Sequence, residues 1–314
     1  MKLGIDMGGM SIKMGLVNEE NKIIGRITIP TDLTVPYQTL VERMADAVRQ
    51  MLENAGMTLE QCGGIGIGSP GTIDAKQGVI LYSNNFGWEN VPIVEELKKH
   101  LDTRIEIAND ADAAALGEVC AGAAEGAENA VLLTLGTGVG SGVILDKKIF
   151  RGGMPGGCEL GHLSIRHDGV RCTCGRKGCL EAYASASALL RIAREKAAEH
   201  PESIMNEMCG NDLKQMNGKI PFDAAKAGDE AGMEVVKEYE GYLACGIANV
   251  INTFRPEKVI LGGGVAAQRE NLTAPLKGLV KDMCFGGSHG YIADIVTSVL
   301  GNDAGIIGAA NLVV

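Results

Sequence analysis

The stretch AVLLTLGTGVGSGVIL at residues 130–145 decides the fold, because a glycine turn joins two apolar strands, 130–135 and 141–145. The chain opens in the same way. Residues 2–17 read KLGIDMGGMSIKMGLV, in which a strand, a glycine pair and a second strand follow one another. A polar turn comes after the second strand in both places. A unit of this kind that occurs twice predicts two related α/β domains that face each other.

A junction of particular interest lies between the two repeated units. Residues 104–108 form an apolar strand that ends on Asn109 and Asp110, and the alanine-rich stretch 111–120 predicts a helix. Open α/β sheets bind ligands at such strand-to-helix junctions. Asn and Asp are also the preferred N-cap residues of helices. The residues alone therefore allow two readings, a helix cap and a general base that accepts a proton from an attacking hydroxyl group.

The second half of the chain is predicted to be mostly helical. Helical periodicity is clearest over residues 184–199 and 232–254, and residues 303–312 predict a closing helix. The apolar stretch 258–261 predicts a buried strand that leads into three consecutive glycines, Gly262, Gly263 and Gly264. This is a third strand followed by a glycine turn.

Length and charge exclude several classes of protein. A chain of 314 residues exceeds the usual size of one hydrophobic core, so two domains are expected. The net charge of −10 argues against a nucleic-acid partner, which would require basic patches. No stretch reaches the roughly 18 apolar residues of a membrane span, and no secretion signal is recognisable. We expect a cytoplasmic protein with reduced thiols.

Three closely spaced cysteines predict a metal site. The segment CTCGRKGCLE at residues 172–181 contains Cys172, Cys174 and Cys179, and His162 lies ten residues upstream. A lone histidine is more often structural, but here three thiolates and one imidazole complete the tetrahedral shell that Zn²⁺ prefers. A full set of four protein ligands indicates structural rather than catalytic zinc. Such a site would hold nearby side chains in place for binding.

The first glycine turn combines groups that suit a nucleotide phosphate. One predicted hairpin contains the carboxylate of Asp6, the glycines Gly8 and Gly9, the hydroxyl group of Ser11 and the ammonium group of Lys13. Backbone N–H groups can hold phosphate oxygens, the lysine adds a charged donor, and the aspartate can hold Mg²⁺ through water. Glycine pairs at hairpins are commonly plain turns, but the further turns at 136–140 and 262–264 favour a site for triphosphate, ribose and base. None of the three turns matches the P-loop or the dinucleotide fingerprint.

Taken together, these motifs resemble the ROK family, which groups repressors, open reading frames and sugar kinases. The resemblance covers residues 2–312 and rests on five segments, of which the cysteine segment is the most specific: Asp-x-Gly-Gly at 6–9, Asn-Asp-Ala-x-Ala-Ala-Ala-x-Gly-Glu at 109–118, Leu-Gly-Thr-Gly-Val-Gly at 135–140, Glu-x-Gly-His at 159–162 and Cys-x-Cys-Gly-x-x-Gly-Cys-x-Glu at 172–181. It implies the actin-like, hexokinase-type (ribonuclease H-like) α/β fold, with duplicated domains and an interdomain cleft. The implied domains are 1–109 with 301–314, and 110–300.

The resemblance also implies roles for individual residues. Asp110 takes the place of the base that deprotonates the sugar 6-hydroxyl group. The positions that match sugar-binding residues are Gly71, Asn85, Asn109, Asp110, Glu159, His162 and Glu181. The positions that match nucleotide-binding residues are Asp6, Gly8, Gly9, Ser11, Lys13, Thr137, Gly138, Gly262, Gly263 and Gly264. The matching metal ligands are His162, Cys172, Cys174 and Cys179.

The function that the resemblance implies is transfer of phosphate from ATP to a hexose, with Mg²⁺ and structural Zn²⁺. Glucose is the expected substrate. The alternatives are mannose, fructose, allose, N-acetylglucosamine and N-acetylmannosamine. A sugar-responsive repressor is the third reading, but repressors of the family carry an N-terminal helix-turn-helix, and the first predicted strand already begins at Lys2. Met10 stands where the family commonly has threonine, which removes one hydroxyl contact. A homodimer or a tetramer is expected.

Overall fold

The computed structural model describes residues 1–290 and 292–313, so Tyr291 and Val314, which fall in the two predicted domains, lie outside the described residues. The strands in chain order are β1 Lys2–Met7, β2 Ser11–Val17, β3 Ile23–Pro30, β4 Ile65–Ser69, β5 Thr72–Asp74, β6 Val79–Ser83, β7 Trp88–Val91, β8 Ile105–Asn109, β9 Ala130–Leu135, β10 Val139–Leu145, β11 Lys148–Ile149, β12 Lys258–Gly262 and β13 Asp294–Thr297. The α-helices are α1 Tyr37–Asn54, α2 Ile93–Lys98, α3 Asp110–Ala121, α4 Glu181–Ala184, α5 Ala186–Glu199, α6 Ile204–Met208, α7 Ile220–Lys226, α8 Glu230–Phe254, α9 Glu270–Met283 and α10 Asp303–Ala310.

Two five-stranded sheets have the same strand order. The first runs β3-β2-β1-β4-β8 and the second runs β11-β10-β9-β12-β13. In each sheet the first three strands along the chain lie side by side. The fourth and fifth strands lie on the other side of the first strand. The duplication predicted from the two glycine turns is therefore confirmed.

Several elements differ from the sequence-based expectation. Residues 72–91 contain the three-stranded sheet β5-β6-β7, which the sequence pattern did not predict because these strands are short and partly exposed. Strand β10 begins at Val139, two residues before the predicted start, so the second glycine turn is shorter than expected. The closing helix α10 ends at Ala310, and residues 311–313 continue as a 3₁₀ turn.

The described residues form two compact units. One comprises residues 1–132, 142–158 and 299–313, and the other comprises 133–141 and 159–298. The predicted domains, 1–109 with 301–314 and 110–300, stay a prediction, because compactness does not say which segments move as one body. Among the described residues, no helix is both long and apolar enough to cross a membrane.

The core of the first unit depends on a helix that lies directly on the sheet. A Cβ atom at Gly4 of β1 would lie 2.0 Å from the carbonyl oxygen of Ile306, and one at Gly66 of β4 would lie 1.7 Å from that of Ala309. Only glycine permits this close approach of α10. The chain's last helix is thereby fixed against the strands that carry the first glycine turn.

The core of the second unit contains a carboxyl group that is not neutralised by a cation. Glu240 lies on α8 and is 6% exposed, and its Oε1 atom has no hydrogen-bond partner within the described part of the chain. Burial raises the pKa of this carboxyl group to about 7. The folded state therefore favours the protonated carboxyl group.

We expect the Glu240→Gln variant to be more stable than the wild type at pH 8 by about 3 kcal/mol, because the pKa rises from about 4.5 to about 7 and each pKa unit corresponds to about 1.4 kcal/mol. The sign follows from the raised pKa. The protonated form stabilises the folded state below the ordinary pKa near 4.5, and this stability is lost as the pH rises through about 7. Urea denaturation at pH 5 and pH 8 measures the difference, with Glu238→Gln on the exposed face of α8 as the control. An equal gain at both pH values would show that ionisation is not its cause.

Candidate active site and metal centre

The first glycine turn places a carboxylate opposite an ammonium group. Asp6 on β1 and Lys13 on β2 are direct partners in the antiparallel register. The turn between them is closed by the Gly8 N–H, which donates to the Ser11 carbonyl oxygen at 3.0 Å. This tight turn leaves Met10 91% exposed. Five of the predicted nucleotide-binding residues are thus gathered in one hairpin: Asp6, Gly8, Gly9, Ser11 and Lys13.

A residue outside the predicted set supports this hairpin. The Thr31 hydroxyl group, one residue beyond β3, donates to the Gly8 carbonyl oxygen at 2.6 Å, and the Thr31 N–H donates to the Met10 carbonyl oxygen at 3.1 Å. Thr31 was not singled out from the sequence because it belongs to no motif. It holds the turn from the neighbouring strand.

Asn85 lies beside the first glycine turn. A Cβ atom at Gly9 would lie 3.8 Å from Asn85 Nδ2. The turn that carries Asn85 is anchored by aromatic rings, since the Phe86 and Trp88 ring centroids are 4.8 Å apart and the Tyr37 ring packs edge-on against Trp88 at 6.1 Å. Asn85 itself is exposed and its amide is available to a ligand.

The junction of β8 and α3 brings three predicted sugar-binding residues together. Parallel strands β1, β4 and β8 end at the same edge of the sheet, with Ser69 paired to Asn109. Asn109 Oδ1 accepts from the Ala111 N–H at 2.8 Å and caps α3, as the helix-cap reading predicted. Its Nδ2 atom donates to the Gly71 carbonyl oxygen at 3.1 Å and fixes the loop after β4.

Asp110, the first residue of α3, is held in a largely desolvated position. Burial raises the pKa of its carboxyl group, while the Ala111 N–H, 2.9 Å from Oδ1, opposes the rise. Burial also raises the pKa of Asp6. The positive charge of nearby Lys13 opposes this rise, and the negative charge of Asp110 adds to it. Asp110, Asp6 and Lys13 are therefore close enough to interact electrostatically. A raised pKa near a cation is typical of groups that transfer protons.

Helix α3 is fixed at its other end by a buried carboxylate. Glu118 accepts hydrogen bonds from the N–H groups of Ala123 at 2.7 Å, Leu300 at 3.0 Å and Val299 at 3.1 Å. These bonds tie α3 to the segment that precedes α10. Glu118 was part of the quoted motif, but two of its partners, Val299 and Leu300, lie about 180 residues away in sequence and could not be predicted from it.

The second unit contains the predicted metal ligands. His162, Cys172, Cys174 and Cys179 place one donor atom each within 4.8 Å of all the others. The sulfur atoms of Cys174 and Cys179 are 3.7 Å apart, and Cys172 Sγ lies 3.6 Å from His162 Nδ1. Tetrahedral zinc with Zn–S bonds of about 2.3 Å separates its sulfur ligands by about 3.8 Å. The donor set and its spacing therefore fit a zinc ion.

Glu181 links the cysteine segment to the second glycine turn. Its Oε1 atom accepts from the Thr173 hydroxyl group at 2.8 Å and from Cys172 Sγ at 3.3 Å, and its Oε2 atom accepts from the Val139 N–H at 3.1 Å. A Cβ atom at Gly138 would meet the same Oε2 atom, so a larger residue there would displace the Glu181 carboxylate. The predicted sugar-binding carboxylate thus lies against the predicted phosphate turn.

The remaining predicted residues surround this turn. The Thr137 carbonyl oxygen accepts from Ser187 Oγ at 2.8 Å, which places the turn near the start of α5. Gly263 has φ +82°, and a Cβ atom there would lie 2.5 Å from the Leu135 carbonyl oxygen, so Gly262–Gly264 abut the end of β9. Glu159 is exposed, and its carbonyl oxygen accepts from the His162 N–H at 3.0 Å.

Comparisons with known proteins show the family and the fold of the chain. The sequence model of the ROK family matches residues 2–314. A glucokinase of Thermotoga maritima is 37% identical over 312 residues, which span 99% of this chain and 96% of that protein. A glucokinase of Halalkalibacterium halodurans is 36% identical over 99% of this chain and 94% of that protein. The crystal structure of a ROK family glucokinase from Streptomyces griseus, in complex with glucose and AMPPNP, is 32% identical, with a TM-score of 0.78 over 99% of this chain and 98% of that chain. The fold is therefore the predicted actin-like, hexokinase-type α/β fold.

Proposed function

Because the chain belongs to the ROK family, we propose that it is an ATP-dependent sugar kinase that converts glucose to glucose 6-phosphate. The similar proteins named glucokinase cover nearly its full length, which supports the activity. The observation that carries the chemistry is the desolvated Asp110 carboxyl group at the sheet edge that also bears Asp6 and Lys13.

In this proposal Asp110 is the general base. It accepts the proton of the sugar 6-hydroxyl group while that oxygen attacks the γ-phosphorus of ATP, and the bond to the bridging oxygen breaks to release ADP. Burial serves this role, because a carboxylate of raised pKa is a stronger base. Asn109 holds α3 and the Gly71 loop in register and leaves Asp110 oriented toward the substrate.

The first unit would also contribute to phosphate and metal binding. Gly8, Gly9 and Ser11 offer backbone and hydroxyl donors, and Lys13 offers a positive charge. Asp6 would hold Mg²⁺, which, when bound, neutralises charge on the transferring phosphate. Asn85, beside Gly9, would bind a sugar hydroxyl group.

The second unit would supply the other nucleotide and sugar contacts. Thr137, Gly138 and Gly262–Gly264 are the proposed nucleotide-binding residues, and Glu159, His162 and Glu181 are the proposed sugar-binding residues. His162 can serve two roles, because Nδ1 faces Cys172 and Nε2 remains for a sugar hydroxyl group. A zinc ion held by the four ligands would keep His162 and the cysteine segment in place.

The assay that tests the proposal is release of ADP with a panel of sugars: glucose, mannose, fructose, allose, N-acetylglucosamine and N-acetylmannosamine. We expect the largest kcat/KM with glucose, because carboxylates that accept from neighbouring hydroxyl groups discriminate against sugars in which those hydroxyl groups are replaced. A larger kcat/KM for another sugar would reassign the substrate. If no sugar stimulates ADP release, the kinase assignment is wrong. Assembly as a dimer or tetramer and a cytoplasmic location stay predictions.

A further inference from the structure

One cavity in the first unit has a lining that the proposed activity does not use. Its volume is about 570 Å³, which lies within the usual range of small-molecule sites. The lining residues come from both ends and the middle of the chain: Lys2, Leu116, Cys120, Lys147, Lys148, Ile149, Arg151, Asn311 and Leu312. We call it the basic pocket.

The charge of the basic pocket is opposite to that of the protein. Its lining contains four cationic side chains and, among the described residues, no carboxylate. The whole chain has 29 Lys and Arg against 39 Asp and Glu, with a net charge of −10. Like charges around one cavity repel each other, so their grouping favours an anionic ligand.

Three of the four cations have no ion pair within the described part of the chain, and one of these, Lys2, is hydrogen-bonded to an amide. The other two are Lys148 and Arg151, which are both exposed. Lys147 lies 3.7 Å from Glu128, and both side chains are largely exposed, so this pair is weak. The charges that face the pocket are therefore available to a ligand.

The position of the remaining cation is determined by neighbouring amides. Lys2 Nζ donates to Asn311 Oδ1 at 3.0 Å. Asn311 Nδ2 in turn donates to Asn21 Oδ1 at 2.9 Å and to the Ile307 carbonyl oxygen at 2.8 Å. These bonds orient the Asn311 amide so that its oxygen faces Lys2, which holds the ammonium group at the pocket.

The pocket also has an apolar wall and lies far from the predicted base. Leu116, Ile149 and Leu312 supply apolar surface for the body of a ligand. Leu116 and Cys120 line the pocket on α3, six and ten residues from Asp110, which corresponds to about 9 and 15 Å along the helix axis. A ligand in the basic pocket would therefore not occupy the position of the sugar.

We propose that the basic pocket binds a phosphate monoester of the size of a sugar phosphate or a mononucleotide. The cations bind the phosphate group and the apolar wall contacts the sugar or base. A free phosphate ion would leave most of the volume and the apolar wall without a contact.

Isothermal titration calorimetry tests this site on the full chain, kept saturated with glucose and AMPPNP. The probes are glucose 6-phosphate, AMP and inorganic phosphate. We expect one further site for at least one monoester, with affinity that falls as the salt concentration rises. Lys148→Glu should weaken this binding about tenfold or more, because it replaces a charged contact by a repulsive one. The matched control is Lys98→Glu at the exposed end of α2, which should leave it unchanged.

Several outcomes would overturn the proposal. These are no binding of either monoester, binding of inorganic phosphate alone, or equal affinity in the wild type and Lys148→Glu. Binding that disappears when glucose and AMPPNP are added belongs to the predicted active site and also contradicts a second site. Arg151→Gln provides a second variant if Lys148→Glu does not fold. No turnover is measured, so the result does not depend on the kinase assignment.

Discussion

The Asp110→Ala variant should lose about 10³-fold or more of the wild-type kcat with glucose, while its dissociation constant for glucose changes only slightly. A general base typically contributes 10²–10⁴-fold, and its removal leaves the sugar hydroxyl group protonated during attack. Sugar binding is shared among several other side chains, so it depends less on this carboxylate. Steady-state kinetics and glucose titration by calorimetry measure the two quantities separately.

The appropriate control is Asp102→Asn, which removes an exposed carboxylate of the same unit. It should retain wild-type kcat. Full activity of Asp110→Ala would remove Asp110 from the mechanism. An equal loss of activity and glucose affinity would instead assign it to sugar binding alone.

The pH profile gives a second readout of the same residue. A base must be ionised to act, so kcat/KM declines as the pH falls through its pKa. Burial raises the pKa of Asp110, and the acid limb of kcat/KM should therefore lie above the value near 3.9 of an ordinary aspartate.

Loss of the metal ligand Cys174 should have the second large effect. We expect Cys174→Ala to lose bound zinc and to bind glucose about 10-fold or more weakly, because the metal holds His162 and the segment that contacts Glu181. Affinity for ATP should fall less, since its predicted contacts are the glycine turns. Elemental analysis measures the zinc, and calorimetry measures the two affinities.

A thiol outside the cluster provides the control for this variant. Cys245 lies on α8 and is half-buried, so Cys245→Ala should retain both zinc and glucose affinity. Unchanged zinc content in Cys174→Ala would mean that the ligand set is wrong. Lost zinc with unchanged glucose affinity would separate the metal from sugar binding.

Local sequence patterns were sufficient where the interacting residues are close together in the chain. The four predicted metal ligands lie within 18 residues of one another, from His162 to Cys179, and side-chain chemistry and spacing were enough to predict that they form one cluster. Asn109 and Asp110 could likewise be placed at a strand-to-helix junction, because apolar periodicity marks both elements. The repeated glycine turns predicted the duplication for the same reason.

Contacts between distant segments could not be predicted in this way. Thr31 supports the first glycine turn from the next strand, and Glu118 binds the segment before α10 across about 180 residues. The short strands of residues 72–91 carry too few apolar positions for their period to be recognised. Packing, rather than local propensity, determines these features.

The family and the duplicated α/β fold could be predicted from the sequence, and the metal ligands and the base could be proposed from it, because each depends on residues that lie close together in the chain. Only the tertiary structure decided how burial raises the pKa of Asp110, and how Lys2 joins Lys148 and Arg151 around one cavity. The physical reason is that desolvation and electrostatic interaction depend on distance in space. The distance in space between two residues that lie far apart in the sequence is set only when the chain folds.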